Sequence, residues 1–221
     1  MMERKRVIDP TKSKVILQAA TCLFLKHGYL ATTMDAVADK ANVTKQTVYA
    51  YYPSKDELFK QMLLMLCERY NQQQPTVFSK KPFAAQLQTQ GMAILNLITH
   101  PDVMAATRLA ISESGRHPKL AKLYYESGTQ TLVQIIAQFL DEYNRRGEIA
   151  IANTPSAASY FLAILKGNYY VRMILRVKPE PTEALKAQHV QEAVRIFMMV
   201  YTGKRAMTTQ GRPARAQSRV A

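Results

Sequence analysis

The apolar residues of this chain recur at a helical period, and nowhere do they alternate as a half-buried strand requires. From Thr11 to His27 they fall at Val15, Ile16, Ala19, Ala20, Leu23 and Phe24, the stripe of an amphipathic helix between a starting Asp9-Pro10 and a closing Gly28. The spacing predicts a short second helix capped by Thr33, with Met34, Val37, Ala38 and Ala41 inward, and a third capped by Thr44 and ending at Tyr49 or Tyr51. Ser54, with Glu57 three residues on, reads as a capping box for a long helix towards Tyr70. Breaks marked by Pro and Gly then separate helices near 83–99, 102–114, 119–145, 155–176 and 182–202. The expected fold class is all-α.

Composition narrows the functional classes. Eight glycines are few for a β-rich fold, and the absence of GxGxxG and GxxxxGK[ST] argues against dinucleotide and P-loop enzymes. No Cys/His cluster suggests a metal, and no cofactor is expected. Thirty basic residues against sixteen acidic leave a formal charge of +14, a field that favours polyanions. That charge alone also suits RNA or an anionic membrane surface. Cys22 and Cys67 fall in helical apolar stretches, as reduced thiols of a cytoplasmic protein would. Val15 to Leu25 mimics a signal-peptide core, but Gln18 and Thr21 interrupt it and Lys26 ends it. No segment reaches the roughly 20 apolar residues of a membrane span.

The stretch 33–58 carries the sharpest chemistry. Two short helices around Ala41-Asn42-Val43 have the dimensions of a helix-turn-helix, and Asn is the best substitute for Gly where a turn needs positive φ. Ala36, Val37, Val43 and Val48 can form its internal core, which leaves Lys45, Gln46, Thr47 and Tyr49 outward. Lys and Gln donate hydrogen bonds to guanine or adenine edges, and the Thr methyl can meet a thymine methyl. Thr33 and Lys55, at helix starts, suit phosphate oxygens.

The runs Thr33-Met34-Asp35-Ala36-Val37-Ala38, Ala41-Asn42-Val43-Thr44-Lys45-Gln46-Thr47-Val48-Tyr49 and Tyr51-Tyr52-Pro53-Ser54-Lys55-Asp56-Glu57-Leu58-Phe59, after Gly28-Tyr29, resemble the DNA-binding domain of the TetR family of one-component transcriptional regulators. The resemblance covers residues 11–60. Asn42 stands where the family usually has Gly, Thr44 where it has Ser, and Gln46 where it often has Gly or Ala. It implies a helix-turn-helix DNA-binding domain over 1–55 and a ligand-binding and dimerisation bundle over 56–202, while the composition of 203–221, five Arg or Lys and no acid, predicts a basic disordered tail. Lys45 and Gln46 would read bases of double-stranded operator DNA, while Thr33, Thr44, Tyr49, Tyr51 and Lys55 would hold phosphates. Tyr52 is expected to pack inward, since the family has a core Phe there. A homodimeric repressor released by a small-molecule effector follows by analogy, with control of drug efflux as the family's common role and a ligand-independent or activating member as the alternative.

For the bundle, apolar Met62 to Leu66 implies a helix contacted on more than one side. Met65, Leu66, Met92 and Met104 are expected to line a soft ligand cavity, with Asn96, Arg108, Gln134, Asn168 and Arg172 orienting the ligand. An Arg there would suit an anionic or phenolic ligand, whereas Glu113 would suit a cation. Tyr160, Phe161, Ile164, Leu165, Val190, Val194, Phe197 and Met198 are the expected dimer interface, with Gly167 allowing close helix approach. The four histidines are scattered and no nucleophile has a matched base nearby, so an enzyme is not expected. In the tail, Gly211-Arg212-Pro213 resembles the AT-hook, a minor-groove contact.

Overall fold

A computed structural model describes residues 9–72, 82–177 and 181–203. Among these residues the elements are all helical: α1 (Pro10–His27), α2 (Met34–Ala41), α3 (Lys45–Tyr51), α4 (Lys55–Gln72), α5 (Phe83–Thr99), α6 (Pro101–Glu113), α7 (Pro118–Tyr124), α8 (Thr131–Arg145), α9 (Thr154–Ile174) and α10 (Glu183–Tyr201). Past Gly203, the expected disordered tail and its AT-hook-like segment lie outside the described residues. No helix among the described residues is long and apolar enough to cross a membrane.

Side-chain caps set the ends of the first four helices. The Asp9 carboxylate accepts the Thr11 N–H at 2.9 Å, and Gly28 ends α1 at φ 87°. Thr33 Oγ1 accepts the Ala36 N–H at 3.1 Å, and Thr44 Oγ1 accepts the Thr47 N–H at 3.1 Å. Between them Asn42 adopts the left-handed conformation, φ 52° and ψ 47°, as the turn requires. Ser54 Oγ accepts the Glu57 N–H at 3.1 Å, one arm of the expected capping box. The other arm is not made, because the Glu57 carboxylate accepts the Gln61 amide at 2.8 Å instead.

Two hydrophobic cores follow. The first gathers Ile16, Phe24, Val37, Val48, Leu58, Phe59 and Met62 from α1 to α4. Phe24, Tyr29 and Phe59 form its aromatic centre, with ring centroids 5.4 to 5.6 Å apart. Val15, expected inward, is 41% exposed, and Leu17 is buried in its place. The face runs through Ile16, Ala20 and Phe24, one turn apart, so Leu17 lies nearer its centre than Val15 does. The second core packs α5, α8, α9 and α10 around Leu87, Ile94, Leu140, Phe161, Leu165, Val190 and Phe197.

Three local features depart from the regular spacing. The helix expected over 119–145 divides into α7 and α8, joined by a π-helical turn at Tyr125–Gln130. Gly167, expected to let two helices approach, instead breaks α9 at φ 45° and ψ −155°. The Leu165 carbonyl beside this break accepts a hydrogen bond at 2.9 Å from His189 Nε2, which must therefore carry the proton. Close approach occurs at Gly91, where a Cβ would sit 2.8 Å from Val190 Cγ1 and 3.4 Å from Phe161. Gly91→Ala is expected to cost about 1–3 kcal/mol of unfolding free energy by overpacking. Gly115→Ala, with nothing within 4 Å of the new methyl, should leave the urea midpoint near that of the parent.

Candidate functional site

The residues expected to meet DNA divide into outward and tethered groups. On α3, Lys45, Gln46 and Tyr49 are exposed, and Gln46 has no hydrogen-bond partner among the described residues. Lys45 Nζ pairs with Asp35 at 2.9 Å, and that carboxylate raises the lysine's pKa chiefly through the hydrogen bond. Thr47 is half-buried, its hydroxyl 2.8 Å from that of Thr44, so it closes the cap rather than projecting freely. Thr33 and Thr44 are exposed caps at the starts of α2 and α3. Buried Val37 and Val48 hold the two helices together, with Ala36 and Val43 half-buried around them.

Tyr51, Tyr52 and Lys55 face inward. The Tyr51 hydroxyl accepts the Asp9 N–H at 3.1 Å and so fixes the start of α1. Tyr52 is buried, as expected, with its hydroxyl 2.7 Å from Ser13 Oγ. Lys55 Nζ donates to the carbonyls of Tyr29 at 2.9 Å, Thr32 at 3.0 Å and Leu30 at 3.4 Å, and lies 4.4 Å from the Tyr29 ring centroid. An ammonium has three hydrogens, and here all three have carbonyl partners. Lys55 therefore staples the α1–α2 loop and is not a free phosphate anchor, a correction the helix-start position alone could not supply.

Beneath this head lies a small, mostly apolar cavity of about 30 Å³, bounded by α4, α5, α6, α7, the π-helical turn, α8 and α9. Leu63, Leu66, Leu97, Ile98 and Leu132 give it apolar walls, and Tyr124, Tyr170, Thr129, Lys166 and Cys67 bring polar atoms. Burial pushes the Cys67 thiol up to about 11. Of the expected ligand residues only Leu66 lines this cavity. Met92 packs on the bundle core and Met104 is buried, while Met65 borders a surface groove with Gln18 and Cys22. Asn96 Oδ1 is buried without a hydrogen-bond partner among the described residues. Arg108 donates to the Met173 carbonyl at 3.3 Å, Arg172 is half-buried away from the lining, and Gln134 and Asn168 are exposed. The polar lining comes mainly from tyrosines and a lysine on apolar helices, which periodicity reads as core or solvated face.

The expected interface residues also divide. Phe161, Leu165, Val190, Val194 and Phe197 are buried within the single chain, filling its own core. Tyr160, at 62% exposed, and the half-buried Ile164 and Met198 remain on the surface. With Ala163, Val200 and Tyr201, Tyr160 and Ile164 line an apolar groove between α9 and α10. Met199, at 62%, is also exposed on α10.

Head and bundle are joined by more than chain connectivity. Ala106 on α6 and Leu120 on α7 are buried in the head's core. Asp56, at the start of α4, pairs with Lys119 of α7 and accepts from the Tyr29 hydroxyl. These bonds, Lys119 first, hold the Asp56 pKa below the usual carboxylate range. A depressed carboxylate stabilises the fold above its unfolded pKa, so this tie is lost as pH falls through the folded value.

Lys55→Met, which keeps the stem and removes the ammonium, is expected to lower stability by about 1–3 kcal/mol in urea titration. The salt slope of DNA binding should stay within error of the parent's, whereas a phosphate anchor would flatten it by about one unit.

Comparison with known proteins places this arrangement. A family model described as bacterial regulatory proteins, tetR family, matches residues 16–62, and one described as AefR-like transcriptional repressor, C-terminal domain, matches residues 85–203. The chain is 46% identical over 61 residues to the uncharacterized HTH-type transcriptional regulator YhgD of Bacillus subtilis strain 168, a match spanning 28% of this chain and 32% of that protein. YvkB, a regulator of the same description and strain, is 26% identical over 180 residues, 78% of this chain and 90% of that one. Among solved structures, the Flavonoid-responsive Regulator FrrA superposes with a TM-score of 0.71 at 31% identity, covering 87% of this chain and 97% of that chain. The chain belongs to the TetR family of transcriptional regulators.

Proposed function

We propose that the protein is a homodimeric repressor that binds a pseudopalindromic operator through paired α3 helices and is released by a small, largely apolar effector. The observation that carries this reading is α3 itself, a capped seven-residue helix with Lys45, Gln46 and Tyr49 outward on a fixed core. Lys45 and Gln46 meet base edges, with Thr33, Thr44 and Tyr49 on the flanking phosphates. The surface apolar strip of exposed Tyr160, Ala163 and Val200 around half-buried Ile164 supports pairing of two copies across α9 and α10. Two-fold pairing sets the reading helices about one turn of duplex apart. The protein acts in the cytoplasm, where its operator lies. Control of drug efflux rests on family analogy alone.

The effector's route to DNA runs through α7. Tyr124 and the turn after it border the cavity, and Lys119 at the other end of the same helix grips Asp56 at the start of α4. A guest that shifts α7 pulls on α4 and changes the separation of the two heads. Linkage requires operator DNA to weaken the effector by the same factor as the effector weakens DNA.

Gln46→Ala is expected to cost about 1–3 kcal/mol of operator affinity and to relax preference at one base pair in a binding-site selection. A uniform loss across all sequences would remove Gln46 from base reading. Lys119→Ala should retain operator binding but reduce the release produced by an effector in a fluorescence anisotropy titration. Undiminished release would take the Lys119–Asp56 tie out of the route.

A further inference from the structure

The reading head spends two of its cations internally. Lys45 is paired with Asp35, and Lys55 is held by three carbonyls. A duplex carries one negative charge per roughly 1.7 Å of its axis, so gripping it calls for unpaired Lys or Arg at the groove edges. Two such lysines stand on α1. Lys12 and Lys14 are exposed near its start, and neither has an ion-pair partner among the described residues. They flank Ser13, whose Oγ lies 2.7 Å from the hydroxyl of Tyr52, the residue just past the end of α3. The first turn of α1 holds no acidic residue, and cations there oppose the helix dipole, so helix stability does not account for them. The carboxylate of Asp9, next along the chain, is used in capping the Thr11 N–H.

The same place fixes where the preceding chain leaves the head. The hydroxyl of Tyr51, the last residue of α3, accepts the Asp9 N–H at 3.1 Å. Asp9 is extended, at φ −73° and ψ 113°, as the Pro10 ring favours, so α1 does not wind back through it. Before Asp9, and outside the described residues, the sequence reads Glu3-Arg4-Lys5-Arg6. A chain covers at most about 3.6 Å per residue, which puts the Arg6 backbone no farther than about 11 Å from Asp9 and that of Arg4 no farther than about 18 Å. A helix of α3's length spans about 10 Å and fits a major groove about 12 Å wide, so its end meets a phosphate ridge with a minor groove beyond.

We propose, building on the operator-binding reading, that Lys12 and Lys14 hold phosphates on the ridge at the end of α3 and that Arg4, Lys5 and Arg6 enter the minor groove beyond it. Cationic side chains are drawn there by a negative potential that deepens where A·T pairs narrow the groove. The segment thereby adds a preference for A·T pairs flanking the bases that Lys45 and Gln46 read.

The test uses the duplex that the full chain recovers from a random pool, in anisotropy titrations over a range of salt. Changing its flanking A·T pairs to G·C is expected to weaken binding about fivefold or more. Inosine·cytosine at the same places should restore affinity, because inosine lacks the amino group by which guanine marks a G·C pair in the minor groove. Arg4→Ala, Lys5→Ala and Arg6→Ala together should remove the flank preference and lower the salt slope by about 2–3 for each protomer. Lys12→Ala with Lys14→Ala should weaken all sequences alike and lower the slope by about 2 for each protomer. The urea midpoint should stay near the parent's, since both side chains are exposed. An unchanged slope in either variant, a flank preference that survives the triple change, or inosine·cytosine behaving as G·C would overturn the proposal. The selection itself divides the two readings. A Gln46-dependent site with no flank preference removes the segment's role and leaves the operator reading standing. A flank preference lost in the triple variant, with Gln46→Ala changing no position, does the reverse.

Discussion

The arrangement depends on α4 being buried from two sides. Leu58, Phe59 and Met62 complete the core of the head, and Leu63, Leu66 and Cys67, one to three turns on, form a wall of the cavity. One rigid helix therefore belongs to both hydrophobic units, and neither can shift it without disturbing the other. Aliphatic and aromatic side chains at interior density have few alternative packings, so a displacement at one end is carried along the rod instead of being absorbed. The five consecutive apolar residues from Met62 to Leu66 are the sequence trace of that double burial.

Around this shared helix, polar groups fix angles that apolar contact alone would leave loose. Tyr29 stacks on Phe24, gives its hydroxyl proton to Asp56 and receives Lys55 on its face and its carbonyl. Asp56 in turn reaches Lys119 across to α7. The result is a small electrostatic joint at the point where α1, α4 and α7 converge. Tyr51 and Tyr52 do similar work at the start of α1, tying it to the end of α3. Tyr51 and Lys55, expected to hold phosphates, are thus largely occupied, together with Tyr52 and Asp56, in orienting the reading head.

How much of this was legible in the residues differs by region. The caps at Asp9, Thr33, Thr44 and Ser54 and the left-handed Asn42 could be read directly, because each is a local event whose chemistry lies within a few residues. Exposed Lys45 and Gln46 followed from the same spacing, whereas buried Tyr52 followed from the family resemblance. Lys55 was misjudged because its carbonyl partners are more than twenty residues away. The same limit governs the bundle. Phe161, Leu165, Val190, Val194 and Phe197 have apolar faces that suit a partner chain or the chain's own core equally well, and only packing decides. The cavity's polar lining, Cys67, Tyr124, Thr129, Lys166 and Tyr170, comes from separate elements, so no periodicity marks these residues as a set.

The ion pair between Lys45 and Asp35 bears on how a reading head would search a genome. A lysine that arrives already neutralised adds little to the indiscriminate grip that random duplex exerts on basic residues. In the proposed complex it would strengthen binding only where a base edge competes successfully with the carboxylate for the ammonium hydrogens. On the proposed base-reading role of Lys45, Asp35 would trade raw adhesion for discrimination in a protein carrying +14.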